Sequence, residues 1–374
     1  KLTLPLSRPH RGQLEGRPML QLLRPLAPAP PSLPLALLLV VLLLGAAPQL
    51  RGEEQCAQSE DGSCRAAPPQ RVAVVTGANR GIGLDVVSGL LSRLPSDFDV
   101  VLTGRRPDAV ETALRCLRQR HYAEGEGTTC CEGKNAGRQS CEFGTFFYEA
   151  EGAGPRRNPA GRDRLRGFVL DLKSSTSVSE LGAYLREEYG RVDILVNNGA
   201  APSSAGPQEH LAVDHFGHLA LFHEVEPLLQ PGARIVHVGS QSGALRGFSP
   251  ELRGMLLDDE LTEEALDALL QGYLALAAEG RQGEAGWPRG SGYAVAKAAN
   301  GATARIQARD LRRRFGQEGD VLVNACCPGP ANAPHTQKGA HVVIHLATLP
   351  AGDSRTGRWF VDRGWTGQPW EAEW

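Results

Sequence analysis

The stretch that most constrains the fold is VAVVTGANRGIG, at residues 72–83. Its short apolar run predicts a buried parallel strand, and a glycine-rich turn follows directly. Apolar residues then recur at helical spacing, which predicts a helix behind the turn. Glycines let a backbone approach a phosphate, and a helix N-terminus offers free N–H groups. The spacing G-x-x-x-G-x-G therefore predicts a nucleotide site, with an ordinary strand-to-helix turn as the alternative.

From residue 71 onward, apolar runs alternate with helical stretches, which is the pattern of βαβ units around a parallel sheet. The predicted strands are Val72–Val75, Asp99–Thr103, Gly167–Leu172, Val192–Asn197, Arg234–Gly239 and Val321–Ala325. The predicted helices are Gly81–Leu94, Pro107–Arg120, Ser177–Tyr189, Leu211–Leu229, Leu256–Glu279 and Ser291–Phe315. Six strands with helices between them predict an α/β fold with a doubly wound parallel sheet.

The predicted sheet domain covers residues 71–374. Residues 121–166 are rich in Gly, Arg and Glu and show no sustained period. A structureless segment of that length inside a compact domain predicts a loop insertion, here before the third strand. Residues 1–70 are predicted to be a targeting segment followed by a polar linker.

An apolar run at Leu33–Ala47 follows several arginines. Its fifteen residues are short for a membrane span of about 20, and they suit the h-region of a secretory signal peptide. The run predicts the secretory pathway or the endoplasmic reticulum lumen. An uncleaved signal anchor in the membrane, or delivery to another organelle by the N-terminal segment, are the alternatives. A chain that begins with Lys1 is predicted to be a fragment or a processed product, with Met19 as a candidate start.

The chain has eight cysteines and a net charge of −2. Eight cysteines are too few for a disulfide-built scaffold, although secretion would allow a disulfide between Cys56 and Cys64. Cys130, Cys131 and Cys141 lack the spacing of zinc ligands, so no metal site is predicted. The balanced charge gives no support for a nucleic-acid partner.

Ligands of doubly wound sheets lie beyond the carboxyl ends of the strands. The residues that follow the later predicted strands are Gly104–Arg106, Asp171, Asn197–Gly199, Ser240 and Cys327–Gly329. Further along the chain, Tyr293 and Lys297 are four residues apart, which places their side chains on one face of a helix. A tyrosine and a lysine at this spacing also occur on solvated helix faces, which is the alternative interpretation.

The motifs TGANRGIG, NNGA and YAVAK, with Ser240 at a strand end, resemble those of short-chain dehydrogenases/reductases. The chain is similar to the carbonyl reductases of that superfamily. Ser240 and Tyr293 lie 53 positions apart, Gly-Trp-Pro precedes the tyrosine, and Cys-Cys-Pro-Gly follows the sixth strand. The resemblance implies one Rossmann-type domain with a helical insertion at about residues 245–289. In such relatives the insertion covers the face used for oligomerisation, which implies a monomer.

The resemblance also implies the site residues. Ser240, Tyr293 and Lys297 would be catalytic, and Asp214 stands where relatives have a relay asparagine. The implied cofactor-binding residues are Gly77, Asn79, Arg80, Gly81, Ile82, Gly83, Arg105, Asp171, Leu172, Asn198, Tyr293, Lys297, Pro328 and Gly329.

The chemistry of these residue types agrees with that implication. A free phenol loses its proton only near a pH of about 10, and a neighbouring ammonium stabilises the phenolate. Tyr293 is therefore predicted to protonate a carbonyl oxygen as hydride reaches the carbon. Ser240 is predicted to hydrogen-bond the same oxygen, and Lys297 would also hold the nicotinamide ribose, as its counterpart does in the family.

Charge near the glycine turn predicts NADPH as the cofactor. Arg105 and Arg106 follow the second strand, where an NAD enzyme needs a carboxylate for the ribose, and Arg80 lies in the turn. The alternative is surface arginine in an arginine-rich chain. Asp171 resembles the family residue that meets the adenine, with a helix N-cap as the other interpretation.

Three departures from the family pattern affect the predicted site. Asp214 replaces the relay asparagine, Gly199-Ala200 reverses the usual order, and Ala333 replaces a threonine in a segment that is shorter than in relatives. The sequence predicts an NADPH-dependent reductase of small-molecule aldehydes, ketones or quinones, with an exposed or weakened site. The alternative is a non-catalytic NADPH-binding or interaction protein that uses residues 121–166 as its partner surface.

Overall fold

The structure is a computed structural model that describes residues 57–58, 64–65, 70–122, 162–288, 292–329, 336–361 and 370–371. The chain divides into two compact units, Lys1–Ala67 and Pro68–Trp374. In the first unit, Ala57–Gln58 pairs antiparallel with Cys64–Arg65. Five features named above lie outside the described residues: Leu33–Ala47, Cys56, the cysteines at 130, 131 and 141, residues 123–161 of the predicted insertion, and Ala333.

Eight strands of the second unit form one sheet within the described ranges. They are β1 (Arg71–Val75), β2 (Phe98–Gly104), β3 (Leu165–Val169), β4 (Val192–Asn197), β5 (Leu229–Val238), β6 (Leu322–Cys327), β7 (Trp359–Val361) and β8 (Trp370–Glu371). Their order is β8-β7-β6-β5-β4-β1-β2-β3, with β8 antiparallel to β7 and the other neighbours parallel. The strand order reverses at β1, so β1 and β4 flank the switch point where doubly wound sheets bind ligands.

Helices cover both faces of this sheet. They are α1 (Gly81–Arg93), α2 (Pro107–Tyr122), α3 (Ser175–Glu188), α4 (Pro207–Leu211), α5 (Gly217–Val225), α6 (Pro250–Leu257), α7 (Glu263–Ala278), α8 (Gly292–Phe315) and α9 (Thr336–Ala347). One π-helical turn, Ala212–Phe216, joins α4 to α5. The predicted α/β fold with a doubly wound sheet is confirmed.

Alternate residues of each central strand enter apolar layers on opposite faces of the sheet. In β1, Ala73 and Val75 join the layer formed with α1, α2 and α9, whereas Val72 and Val74 join the layer formed with α3, α5 and α8. Successive strand residues point to opposite faces, so a strand covered on both sides is apolar throughout. This burial is the reason that residues 72–75 form a continuous apolar run.

A third apolar cluster holds the helical insertion against α8. Leu256 of α6, Leu270 of α7 and Trp287 pack in one cluster with Val295 and Ala299 of α8. Burial of this apolar surface stabilises the N-terminal half of α8, which carries the Tyr-x-x-x-Lys motif.

The third strand begins two residues earlier and ends three residues earlier than predicted. It is Leu165–Val169 rather than Gly167–Leu172, and the hydrogen bond from the Leu170 N–H to the carbonyl oxygen of Gly104, at 3.0 Å, is at the end of its pairing with β2. In this edge strand only Leu165 is buried, and the other four positions are partly or fully exposed. The apolar residues in this stretch therefore did not mark the strand ends.

Two predicted helices also differ from the observed ones. The helix predicted at Leu211–Leu229 begins earlier, at Pro207, and contains the π turn. The stretch predicted at Leu256–Glu279 is two helices, because Thr262 caps α7 by accepting a hydrogen bond from the Ala265 N–H. Within the described ranges, the structure contains no helix with the length and hydropathy needed to span a bilayer.

Candidate active site

The glycine-rich turn between β1 and α1 leaves the N-terminus of α1 open. Gly77 and Gly81 have φ values of 60° and 58°, a left-handed region that glycine enters without steric cost. A Cβ added at Gly81 would meet no described atom within 4 Å, and Arg80 at the N-cap makes no side-chain capping hydrogen bond. An uncapped helix N-terminus beside open space can bind an anion such as a pyrophosphate.

Thr76, which follows β1, joins the glycine turn to the Asn-Asn-Gly turn that follows β4. Its Oγ1 accepts hydrogen bonds from the N–H groups of Asn198 and Gly199, both at 2.9 Å. The Asn198 side chain donates in return to the carbonyl oxygens of Thr76 at 2.9 Å and Gly77 at 3.1 Å. The two turns are therefore fixed to each other at the switch point.

His218 of α5 completes this network. Its Nδ1 lies 3.3 Å from the carbonyl oxygen of Asp214 and its Nε2 lies 3.0 Å from Thr76 Oγ1. Burial lowers the pKa of His218 well below its usual 6.5, so the ring is neutral near pH 7. A carbonyl oxygen only accepts, so Nδ1 carries the proton, and the Thr76 hydroxyl lies within donor distance of both Nε2 and the Val196 carbonyl oxygen, at 3.0 and 3.3 Å.

Close packing explains why glycine rather than alanine follows Asn198. A Cβ on Gly199 would lie 2.8 Å from Leu172 Cδ1 and 3.4 Å from His218 Nε2. A Cβ on Gly77 would lie 2.6 Å from Gly199 Cα. The reversed order of Gly199 and Ala200 therefore places the smaller residue where the imidazole and the glycine turn approach most closely.

Two exposed arginines lie near the glycine turn. Arg80 is at the start of α1 and Arg105 directly follows β2, and neither forms an ion pair with a described residue. Arg106, in contrast, pairs with Asp108 at 3.2 Å. Within the described part of the chain, no carboxylate pairs with Arg80 or Arg105, so their positive charges are not compensated there.

Asp171 and Asn79 lie beside the ends of β3 and β2. Helix α3 is capped by Ser174, whose side chain accepts from the Ser177 N–H, so the interpretation of Asp171 as the N-cap is wrong. The Asn79 side chain lies against the end of β2, because a Cβ on Gly104 would meet its Oδ1 at 2.7 Å. Both side chains thus flank the edge where the predicted cofactor would bind.

Ser240 follows β5, where the chain forms a 3₁₀ turn over Gln241–Gly243. The Ser240 Oγ accepts from the Ser242 N–H at 3.2 Å, which leaves its hydroxyl hydrogen for another acceptor. The buried Cys327 thiol accepts from the N–H groups that directly follow Ser240 and Pro328, at 3.1 and 3.4 Å. The thiol therefore joins the Ser240 turn to the Pro-Gly turn that follows β6.

Lys297 of α8 reaches the end of β5. Its Nζ donates to the carbonyl oxygen of Val238 at 3.1 Å and lies 5.6 Å from the centre of the Tyr293 ring. The lysine is only 3% exposed. A Cβ on Gly243 would lie 2.5 Å from the backbone carbon of Lys297, so the turn after Ser240 packs directly on α8. The structure thus brings the Ser240 turn together with the helix that carries the tyrosine and the lysine.

Asp214 lies in the π turn and faces the same lysine. Its Oδ2 is 3.6 Å from Lys297 Nζ and 3.4 Å from His210 Nδ1, and its Oδ1 accepts from the Ala201 N–H at 2.6 Å. The ring of His210 packs edge-on against Tyr293, with 5.3 Å between the ring centroids. The predicted relay position therefore contacts the lysine through a carboxylate.

Comparison with known proteins identifies the family. No family model matches the chain. Carbonyl reductase (NADPH) 1 of Homo sapiens is 32% identical over 298 residues, which cover 75% of this chain and 91% of that protein. The chain belongs to the short-chain dehydrogenase/reductase superfamily. Within that superfamily it is carbonyl reductase-like, and the Rattus norvegicus protein of the same name is 29% identical over 299 residues, or 75% of this chain and 92% of that protein.

Two solved reductases share the fold of this short-chain dehydrogenase/reductase. Menthone neomenthol reductase from Mentha piperita matches with a TM-score of 0.58 at 23% identity and covers 78% of this chain and 98% of its own. Salutaridine reductase from Papaver somniferum has the same TM-score and identity and covers 78% and 99%. These likenesses confirm the Rossmann-type fold.

Four groups in the site of this short-chain dehydrogenase/reductase were not predicted: the Thr76 hydroxyl, the Val238 carbonyl, His210 and His218. The two histidines carried a signal, because each lies four residues from Asp214 and helical spacing places such residues near one another. The Val238 carbonyl oxygen could not be predicted from the sequence, since every residue has a backbone oxygen. Residues 330–335, which include the position of Ala333, lie outside the described residues.

Acid should destabilise this short-chain dehydrogenase/reductase through His237 of β5. The ring is buried, with Nε2 at 2.9 Å from Gln307 Oε1, and burial lowers the pKa of His237 from 6.5 to about 4. Between those values the unfolded chain binds a proton that the folded protein does not. The contribution of His237 to stability is fully present above the pKa that this histidine has in the unfolded chain. It falls by about 3 kcal/mol as the pH drops towards the folded pKa.

The variant His237→Gln should show a shallower loss of stability between about pH 7 and pH 4, measured by urea unfolding at a series of pH values. His223→Gln is a control of opposite sign, because a hydrogen bond that His223 donates to Glu263 raises the pKa of His223. The contribution of His223 is present below its unfolded pKa and is lost as the pH rises through the folded pKa. Equal pH slopes in wild type and His237→Gln would contradict the prediction.

Proposed function

We propose that the protein is an NADPH-dependent carbonyl reductase in which hydride passes to an aldehyde, ketone or quinone and Tyr293 donates the proton. Its family makes it an oxidoreductase that acts on carbonyl or CH–OH groups with NADP(H) as the cofactor. One observation carries the finer proposal. The buried Lys297 ammonium is held by the Val238 carbonyl oxygen one helical turn from Tyr293, and the backbone of Lys297 packs against the turn after Ser240.

The residues around the glycine turn fit NADPH. The uncapped N-terminus of α1 suits a pyrophosphate, and Gly81 leaves open space beside it. Arg80 and Arg105 bring two uncompensated cations to the region beyond β2, where the 2′-phosphate of NADPH binds in this fold. Asn198 is fixed to the same edge by its hydrogen bonds to Thr76.

The catalytic side chains supply acid and hydrogen-bonding functions. When bound, NADPH supplies the hydride that forms the new C–H bond. Tyr293 would give its hydroxyl proton to the carbonyl oxygen, which with the hydride gained at carbon would leave an alcohol product and a tyrosine phenolate. The Lys297 ammonium stabilises that phenolate until solvent returns the proton. The Ser240 hydroxyl, whose oxygen accepts from the Ser242 N–H, donates to the carbonyl oxygen and positions it.

The proposal is tested by steady-state NADPH oxidation with an aromatic aldehyde, an aromatic ketone and a quinone as substrates. We expect turnover of at least one of them, with one alcohol or hydroquinone formed for each NADPH consumed. Tight NADPH binding without turnover of any carbonyl compound would instead support a non-catalytic binding protein. In that case, a partner that is lost on deletion of residues 123–161 would identify the insertion as an interaction surface.

Arg105→Ala should weaken NADPH binding about tenfold or more and leave NADH binding unchanged. A charge-assisted hydrogen bond to a phosphate contributes about 1.5–3 kcal/mol, and NADH lacks that phosphate. Fluorescence titration with both cofactors measures the effect. Arg106→Ala is the matched control, because Arg106 already pairs with Asp108 and its loss should change neither affinity. An equal loss for both cofactors in Arg105→Ala would contradict the assignment.

We also propose that the protein is a monomer and that residues 1–70 direct it into the secretory pathway. The first proposal is supported by the packing of the helical insertion on α8, and light scattering of the purified protein tests it. The second is supported by the composition of Leu33–Ala47. Localisation of the full-length protein and N-terminal sequencing of the mature product test it, and they distinguish a cleaved signal from a membrane anchor.

A further inference from the structure

A buried carboxylate lies at the centre of the catalytic site. Asp214 has no exposed surface, and its oxygens face the Ala201 N–H, His210 Nδ1 and Lys297 Nζ. An asparagine at this position would be neutral, whereas the aspartate brings a negative charge into the ion-pairing shell of the lysine. A buried carboxylate requires a compensating cation, and Lys297 supplies it.

Other titratable groups face Lys297 and Asp214 from the surrounding elements. They are His218 of α5, His237 of β5, Cys326 of β6 and His210 of α4. Burial lowers the pKa of His218 and His237 and raises the pKa of the Cys326 thiol. These three groups are therefore neutral near pH 7, which leaves Lys297, Asp214 and His210 as the groups beside the tyrosine that can bear a charge.

The two directions of the reaction need different forms of Tyr293. Carbonyl reduction needs the phenol, because the phenol donates the proton. Alcohol oxidation needs the phenolate, because the phenolate accepts the proton. A nearby cation stabilises the phenolate, and a nearby anion destabilises it. A carboxylate 3.6 Å from the ammonium therefore opposes the effect of the lysine.

We propose that Asp214, held by His210, is a positioning residue that offsets the charge of Lys297 and keeps Tyr293 in the protonated form that donates to a carbonyl oxygen. The inference rests on the proposed function, because it concerns the same proton donor. His210 links the two groups, since its Nδ1 faces the carboxylate and its ring packs against Tyr293. The charge of Asp214 thereby sets the pH range in which each direction of the reaction finds the form of Tyr293 that it needs.

The variant Asp214→Asn tests the inference without a cofactor. The amide has the same shape and retains an oxygen to accept the Ala201 N–H bond. Alkaline titration of the cofactor-free protein, followed by tyrosinate absorbance, isolates the Tyr293 signal as the difference from the matching variant that also carries Tyr293→Phe. We expect Tyr293 to ionise about one pH unit lower in Asp214→Asn than in wild type. One unit corresponds to a tenfold change in the phenolate population.

The same variant should raise kcat for alcohol oxidation about tenfold near pH 7, with its pH profile moved to lower pH. Asp97→Asn is the matched control, because Asp97 pairs with Arg71 at 2.7 Å beside the amino end of β1. It should change neither titration nor pH profile.

Unchanged Tyr293 ionisation in folded Asp214→Asn overturns the inference, whether or not the protein turns over a carbonyl compound. Should Asp214→Asn fail to fold, Asp214→Ser removes the same charge with a smaller side chain and must shift the titration in the same direction. An absence of turnover in wild type would refute the proposed function. The cofactor-free titration would still decide whether Asp214 controls the tyrosine.

Discussion

Tyr293→Phe should lower kcat for carbonyl reduction by about a thousandfold, because the variant has no hydroxyl proton to give to the carbonyl oxygen. The ring itself is retained, so its packing against His210 and its distance to Lys297 should persist. NADPH affinity should remain close to that of wild type, since the phosphate-binding edge is built from other elements. Steady-state kinetics and a fluorescence titration with NADPH measure the two quantities separately.

Tyr273→Phe is the matched control for this prediction. Tyr273 of α7 is buried against Trp287, and its hydroxyl has no hydrogen-bond partner among the described residues. Its removal should leave kcat unchanged and cost little stability. Wild-type turnover in Tyr293→Phe would rule out the tyrosine as the proton donor. Equal and negligible rates in wild type and Tyr293→Phe would instead rule out the enzyme.

The central strands could be predicted from sequence because they are buried on both faces. The strand at Val192–Asn197 was predicted with the bounds that the structure shows, since an apolar run between a glycine and two asparagines has clear ends. The edge strand β3 could not be placed as well, because only Leu165 is buried and Arg166 and Gly167 interrupt its apolar residues. Tertiary position, rather than local pattern, determines where such a strand stops.

Elements after the sixth strand were not predicted at all. Helix α9 presents Val342, Val343, Ile344 and Leu346 to the core, an apolar stretch interrupted only by His345 that does not distinguish a helix from a strand. The helix packs closely on α1, where a Cβ on Gly89 would lie 2.2 Å from Ile344 Cδ1, and the sequence pattern does not reveal this tertiary contact. Strand β7 is three residues long, which is too short to show a period.

The sequence predicted which residues lie at the strand ends that form the site, but it did not predict the contacts among their side chains. Most of the site residues follow a strand directly or belong to the next helix: the glycine turn, Asn198, Ser240 and the helix of Tyr293. Because the ends of parallel strands lie at one edge of the sheet, these residues come together. Asp214 lies in the π turn at Ala212–Phe216, and its contact with Lys297 joins two elements that are far apart in the sequence. A pattern based on 3.6 residues per turn does not reveal an extra residue in a helix. The order of Gly199 and Ala200 likewise became explicable only when His218 and Leu172 were seen beside it.

Lys297→Met should lower the free energy of unfolding by about 3 kcal/mol and abolish activity. The substitution keeps much of the volume of the side chain but leaves the Asp214 carboxylate buried without its cation, and the loss of one partner of a buried ion pair is strongly destabilising. The variant also removes the donor to the Val238 carbonyl oxygen. Urea unfolding near pH 7 measures the change in stability. Lys173→Met is the control, because the exposed pair of Lys173 with Glu209 at 3.2 Å should contribute less than about 1 kcal/mol.

The double variant Lys297→Met with Asp214→Asn separates stability from chemistry. Removal of both charges leaves no unpaired buried ion, so most of the stability lost in Lys297→Met should return, and the double-variant cycle should show strong coupling between the two positions. Activity should stay absent, because nothing in the double variant stabilises the Tyr293 phenolate. Additive losses of stability would show that the carboxylate and the ammonium do not compensate each other. If the double variant regains stability but not activity, two neutral side chains stabilise the fold as well as the ion pair does. The role of the charged pair would then be its electrostatic effect on Tyr293 rather than stability.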